Sequence, residues 1–272
     1  MRCFLFISAT AILFGGCGQV EIDFFDLGEF RVMALVADTP EVDANTVNTV
    51  NITPWISDVD AGGRLVEVSI LACLDPGIAL GAAPLCNRLD ALTQEITYTP
   101  FSTTALAGQN YTGAMPSFQV TVPSNLASAL PSDVQYNGVD YLISMAFTAG
   151  GESIQTFKRI RVSVRPTPNQ NPALQDILVD GSATQVPVEG SVVTYTLANP
   201  PETFDEIGQS GNNIGLEESY LATWFVLGGT LSLSRSGGED KADFQTGEDP
   251  SIAPMIVAVL RDGRGGTDVL IR

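Results

Sequence analysis

The sequence predicts an all-β protein made of two sandwich-like units. Three observations predict it. Short runs of β-branched and aromatic residues recur along the chain, and clusters of Gly, Pro, Asn and Asp separate them. Almost nothing reads as helix beyond one turn at 125–130 (NLASAL). A proline-rich stretch, RPTPNQNP ending at residue 172, divides the runs into two groups.

Size and composition agree with this. The chain has 272 residues, which suits one large or two ordinary domains, and 44% of them are hydrophobic, enough for real cores. The formal charge is −18. Such a surface repels nucleic acid and anionic headgroups, so no nucleic-acid partner is expected. The chain contains no histidine. That removes Ser-His-Asp and Cys-His catalysis, histidine-containing zinc sites and the commonest general base near neutral pH.

The first residues carry an address. Residues 3–14 (CFLFISATAILF) form an uncharged run of 12 behind Arg2. A membrane-spanning helix needs about 20 apolar residues, so this run reads as the core of a secretory signal. It ends in Leu13-Phe14-Gly15-Gly16-Cys17, which resembles the lipobox of bacterial lipoprotein precursors, although Phe14 stands where that family usually has Leu. The resemblance implies a signal peptide over 1–16, lipidation at Cys17 and a lipid-anchored chain. A plain signal peptide with a chance cysteine is the alternative. Two or three acyl chains, at about 0.8 kcal/mol for each buried CH₂, hold a protein stably to a membrane. Gly18 follows the cysteine, where an Asp resembles an inner-membrane retention signal, so the expected location is the outer membrane. Residues 17–29, with Glu21, Asp23, Asp26 and Glu29, read as an acidic tether.

The first unit is expected over 30–165. Residues 30–42 (FRVMALVADTPEV) are apolar on both faces: Val32, Ala34 and Val36 on one side, Met33, Leu35 and Ala37 on the other. Residues 46–56 form the next strand, with Val47, Val50, Ile52 and Trp55 as core candidates. The turn 58–63 (DVDAGG) leads into 64–73, whose core face is Val66, Val68, Ile70 and Ala72. After removal of Cys3 and lipidation of Cys17, Cys73 and Cys86 remain as an even pair in an exported protein. They are expected to form a disulfide closing about 14 residues, worth about 3 kcal/mol; two buried free thiols are the alternative. Strands follow at 95–101 and 118–122, and 141–148 with 153–164 read as a hairpin. Lys158, Arg159 and Arg161 on its last strand are expected at solvated or edge positions.

Residues 166–172 are expected to be a semi-rigid linker without core residues, and 173–272 a second unit. Its strands are expected at 173–179, 191–197, 220–227 and 230–234, with a closing hairpin of 252–261 and 267–271. Residues 199–218 and 235–250 read as polar and acidic loops.

Taken together, both units resemble immunoglobulin-like sandwiches, with Trp224 in the place where such cores often bury an indole, but without the immunoglobulin disulfide. The pattern also resembles a group of Gram-negative surface lipoproteins. The matching stretches are FRVMALVADTPEV (30–42), ILAC (70–73) with its second cysteine at 86, TWFVLGGTL (223–231) and AVLRDGRGG (258–266). The resemblance implies tandem immunoglobulin-like domains behind a lipoprotein signal. It brings no activity with it.

Candidate sites are few. Asp58 and Asp60 in the 58–63 turn invite a calcium reading, but the EF-hand template wants an acid or amide where Gly62 stands and Glu where Ser69 stands. Asp262 and Arg264 in the 262–266 turn (DGRGG) have no phosphate-binding spacing. Both stretches read first as structural turns, with glycine supplying positive φ at 262–266; Asp58, Asp60, Asp262 and Arg264 are the residues that recognition loops would use, and no metal or cofactor is expected. The functional expectation is a non-enzymatic envelope lipoprotein, a spacer and binding module presenting its loops to a protein or glycan. A structural subunit of an outer-membrane assembly is the second reading, and a carboxylate-based hydrolase the third.

Overall fold

The computed structural model describes residues 27–58, 63–77, 84–90, 92–103, 111–238 and 240–272. Cys17, the expected signal peptide and most of the expected tether lie outside them, as does Asp60.

The first unit contains β1 (Arg31–Ala37), β2 (Glu41–Asp43), β3 (Asn48–Asp58), β4 (Leu65–Leu74), β5 (Gln94–Ile96), β6 (Phe101–Ser102), β7 (Tyr111–Ala114), β8 (Phe118–Val122), helix α1 (Ser132–Asn137), β9 (Val139–Ala149) and β10 (Glu152–Ser163). Strand β3 is the spine of one sheet. It pairs with β1 on one edge and with β8 and then β7 on the other. The second sheet runs β2-β10-β9-β4, with β5 and β6 both on β4. Its centre is the β9–β10 hairpin expected from the sequence. The core face of β4 is also as expected: Val66, Ile70 and Ala72 are fully buried, while Leu65 and Glu67 face solvent. Val47 was expected in the core, but it precedes β3 and is 65% exposed.

Strand β1 departs from simple alternation. Its register against β3 shifts between Val32 and Ala34. This bulge lets Met33 and Ala34 both face one side, while Phe30, Leu35 and Ala37 face the other. A strand apolar on both faces is thereby fitted to two different cores.

The second unit contains β11 (Leu174–Val179), β12 (Val192–Leu197), β13 (Thr203–Ile207), β14 (Asn213–Glu217), β15 (Leu221–Leu227), β16 (Gly229–Leu231), β17 (Arg235–Gly237), β18 (Ala242–Thr246), β19 (Met255–Arg261) and β20 (Thr267–Ile271). One sheet has the order β11-β12-β18-β16 and the other β17-β15-β19-β20. Two stretches expected as loops are structured. Residues 199–218 contain the β13–β14 hairpin. The acidic stretch 235–250 contains β17 and β18, because Ala242 and Phe244 alternate with Asp243 and Gln245 and turn inward. Gly229 is required beside them: a Cβ there would meet the Phe244 ring and lie 2.6 Å from the Gln245 carbonyl.

Both units are sandwich-like, and they share a third core. The first core lies between the two sheets of the first unit and includes Val50, Ile52, Val66, Ile70, Phe147 and Ile160. The second lies between the sheets of the second unit, around Ile177, Trp224, Phe244, Ile256 and Leu260. Trp224 is 1% exposed and its Nε1 donates to Ser236 Oγ at 2.8 Å. The third core joins the outward faces of β1 and β3 to the outward faces of β15, β19 and β20. It contains Leu27, Met33, Ala34, Phe225, Val257, Val259 and Val269, with Trp55 packed against it. Along β19 the parity is strict: Ile256, Ala258 and Leu260 serve the second core, Val257 and Val259 the third. The sheets are therefore stacked in four layers with three apolar seams.

Candidate functional site

The polar side of the junction between the units is the most concentrated group of buried charge among the described residues. It is built on the turn between β19 and β20. Gly263 and Gly265 have φ of +79° and +108°, so the chain can fold back around its own Asp262. Asp262 is 2% exposed. Its Oδ1 accepts the Arg264 N–H at 2.7 Å and the Gly266 N–H at 2.9 Å, and its Oδ2 accepts Asn169 Nδ2 at 2.8 Å. Gly266 leaves room for this carboxylate; a Cβ there would collide with it.

The turn aims Arg264 across the junction. Its Nη2 donates to Glu41 of β2 at 3.2 Å and its Nη1 to Glu218 at 3.0 Å, and Nη1 lies 3.6 Å from Glu202. The guanidinium lies over the Phe204 ring at 4.0 Å. Glu41, 1% exposed, also accepts Ser163 Oγ at 2.5 Å and the Asn169 N–H at 2.8 Å. Arg165 completes the group, with its guanidinium 5.7 Å from both the Tyr136 and Phe204 rings and 3.5 Å from Glu206. Tyr136, Arg165, Phe204 and Arg264 border a cavity of about 170 Å³.

Burial shapes the ionisation here. Burial pushes the Glu218 carboxyl up, and the neighbouring Asp262 and Glu202 charges add to this, against the opposing pull of the Glu202 N–H and Arg264. Lys158 of β10 is 7% exposed and donates to the Gly265 carbonyl at 2.5 Å and to Thr267 Oγ1 at 3.1 Å. Burial pulls its pKa down to about 8, Asp262 opposes that shift, and Arg261 reinforces it. The carboxylates of Glu41, Glu218 and Asp262 are each held by arginine or backbone N–H donors. As placed, they bind the two units to each other.

The linker is part of this junction. Asn169 is fully buried and Pro172 is buried, contrary to the expectation of no core residues in 166–172. Asn171 bridges the units, its Nδ2 donating to the Ala37 carbonyl at 2.6 Å and its Oδ1 accepting the Thr267 N–H at 2.9 Å.

The expected recognition residues are placed differently from one another. Asp262 and Arg264 were expected in an exposed loop; Asp262 is buried and the Arg264 side chain is 11% exposed, because their charges are spent on the junction. Asp58 was expected with them, yet it is 1% exposed. Arg64 Nη2 donates to its Oδ1 at 3.0 Å and bridges to Glu152 at 3.1 Å, beside an open cavity of about 640 Å³ that Glu29, Phe30 and Ile154 also line. Cys73 and Cys86 form the expected disulfide, with Cα atoms 5.8 Å apart, packed on Leu142. Among the described residues, no three His, Cys, Asp or Glu side chains are grouped to hold a metal ion.

Sequence reasoning missed Glu41, Lys158, Arg165 and Asn169. One signal was available. Lys158 shares its parity with Ile160 and Val162, which are fully buried, so the alternation of β10 turns it inward while Arg159 and Arg161 face outward. The expectation that all three cations sit in solvent is corrected for Lys158.

No family model matches the chain, and no curated protein matches it. Among solved structures the chain is similar to red sea bream transglutaminase, with 11% identity, a TM-score of 0.29, and coverage of 88% of this chain and 30% of that one. It is also similar to a mutant of Salmonella alpha-2-macroglobulin, with 8% identity, a TM-score of 0.23, and coverage of 89% of this chain and 16% of the other. The chain thus spans less than a third of the length of either structure, and likeness at this level carries no functional argument.

Proposed function

We propose that this protein is a non-enzymatic envelope lipoprotein, anchored through Cys17, whose two immunoglobulin-like units act as one rigid spacer and binding module. The observation that carries this reading is the third core, backed by the buried Glu41–Arg264–Glu218 group: it joins two sandwich-like units into a single stack. A stiff body on a lipid tether holds a binding surface at a set distance and orientation, which lowers the ordering cost of association. The location is the outer membrane and the partner a protein or glycan.

Intact mass spectrometry of the protein purified from its membrane tests the anchor. The expected mass begins at Cys17 with two or three acyl chains, and Cys17→Ala abolishes them. An unmodified terminus would remove the lipoprotein reading. Hydrolase turnover lost on substitution of a single carboxylate would remove the non-enzymatic one. A subunit role in an envelope assembly draws on the open edge of β14 described below; recovery of the lipidated protein as a free monomer in mild detergent would count against it.

A further inference from the structure

We propose that the outer edge of β14 is a docking edge for an extended segment of a partner protein whose side chains alternate between apolar and basic. This rests on the reading of the chain as a binding module and names the surface and the chemistry of the partner.

The hydrogen-bond pattern of the hairpin exposes the edge. The Glu218 N–H donates to the Glu202 carbonyl and the Gly208 N–H to the Asn212 carbonyl, both at 2.9 Å. Facing residues of the same parity, Phe204 with Leu216 and Glu206 with Ile214, are then the pairs that exchange hydrogen bonds within the hairpin. The residues between them turn their backbone groups outward: Thr203, Asp205 and Ile207 on β13, and Asn213, Gly215 and Glu217 on β14. On the β13 side the edge is closed by α1. Asn137 Oδ1 accepts the Ile207 N–H at 2.8 Å, and Asn137 Nδ2 donates to the Ile207 carbonyl at 2.8 Å. On the β14 side no strand follows among the described residues, and all five residues of β14 are exposed. Neither proline nor lysine blunts this edge, although those are usual devices against unwanted pairing.

The edge is also firmly mounted. Phe204 lies under Arg264, and Glu202 and Glu218 flank the same guanidinium. A strand held in this way can add another strand without first being ordered.

The side chains state what kind of strand fits. On one face Ile214 and Leu216 are 42% and 39% exposed, next to Phe204. On the other, Asp205 and Glu217 border an open cavity of about 380 Å³ floored by Gly215. An incoming strand meets apolar surface with one parity and carboxylates with the other. The chain's own charge of −18 disfavours a second copy and favours a basic segment.

The test uses the full mature chain and a labelled peptide of alternating lysine and valine, KVKVKVK. The expected result is saturable binding, with hydrogen exchange of the Asn213, Gly215 and Glu217 amides slowed in the complex. Binding is expected to weaken at least tenfold for the peptide N-methylated on the amides that face β14, for the glutamate analogue EVEVEVE, and for Leu216→Lys. Leu216 is part-exposed, so this variant is expected to keep its fold; Val188→Lys, at a 60% exposed position outside the hairpin, is the matched control and is expected to bind normally. No binding, equal binding of the N-methylated peptide, protection elsewhere, or self-association through β14 would each overturn the proposal. Loss of the edge with coincident unfolding of the two units leaves the rigid module standing; separate unfolding removes the module whatever the peptide does.

Discussion

The junction between the two units has an apolar half and a polar half, and they do different work. The apolar half, Met33, Ala34, Phe225, Val257 and Val259, is non-directional; it stabilises contact between two sheet faces but tolerates sliding. The polar half, Glu41, Arg264, Glu218, Asp262 and Asn169, has hydrogen bonds of fixed geometry and is costly to leave half-made. Together they give contact area and a single register. A buried ion pair adds little stability when compared with apolar packing, so the polar half is better understood as setting orientation.

Removing one member of the polar half is expected to have the largest effect. Arg264→Ala leaves Glu41 and Glu218 buried without their shared cation and is expected to cost about 3–5 kcal/mol, read by urea denaturation. A loss under about 1 kcal/mol would mean that water reaches both carboxylates. In the apolar half, Met33→Ala, at a residue 2% exposed, is expected to cost about 2–5 kcal/mol. The two variants separate in their pattern: Met33→Ala is expected to keep the hairpin amides protected, whereas Arg264→Ala releases the mount of Phe204 and speeds exchange of the Phe204 and Leu216 amides.

Lys158 sharpens the comparison through pH. Its native pKa of about 8 lies below the ordinary 10.5, so between these values the unfolded chain holds a proton that the folded chain has released. Stability from this group therefore rises as pH increases across that interval. Tyr98 and Tyr141, pushed up to about 12 by burial, act in the opposite direction above pH 10. Denaturation midpoints between pH 8 and 10 are expected to show a positive contribution that Lys158→Met abolishes. An unchanged slope in the variant would mean that Lys158 is not buried at the junction. The smallest effect is expected at the surface pair Arg88–Glu95, whose side chains are 59% and 66% exposed. Arg88→Ala is expected to shift stability by less than about 1 kcal/mol.

Much of the fold was legible in the sequence, because β-strand burial has a period of two. The β9–β10 and β19–β20 hairpins, the core face of β4 and the Cys73–Cys86 pair follow from alternation, turn residues and cysteine count. The junction was less legible. In β1 the bulge at Met33 reverses the parity partway along the strand, and a simple alternation cannot show that. In the turn at 262–266, Asp262 and Arg264 look like surface residues because glycines surround them; only the tertiary packing shows their carboxylate and guanidinium buried against Asn169, Glu41 and Glu218. The β13–β14 hairpin was missed for the opposite reason. Ile214 and Leu216 do alternate with Asn213, Gly215 and Glu217, but two apolar residues on a five-residue exposed strand are a weak signal between Pro200-Pro201 and Glu217-Glu218.

The central claim is that the two units form one rigid body, and the two tryptophans test it directly. Trp55 packs on the third core from the first unit, and Trp224 is buried in the second. Trp55→Phe and Trp224→Phe each leave one reporter. Urea denaturation followed by the fluorescence of each is expected to give coincident midpoints and slopes, as a single cooperative unit requires. Two separated transitions would contradict the account and make the chain a pair of independent domains on a linker.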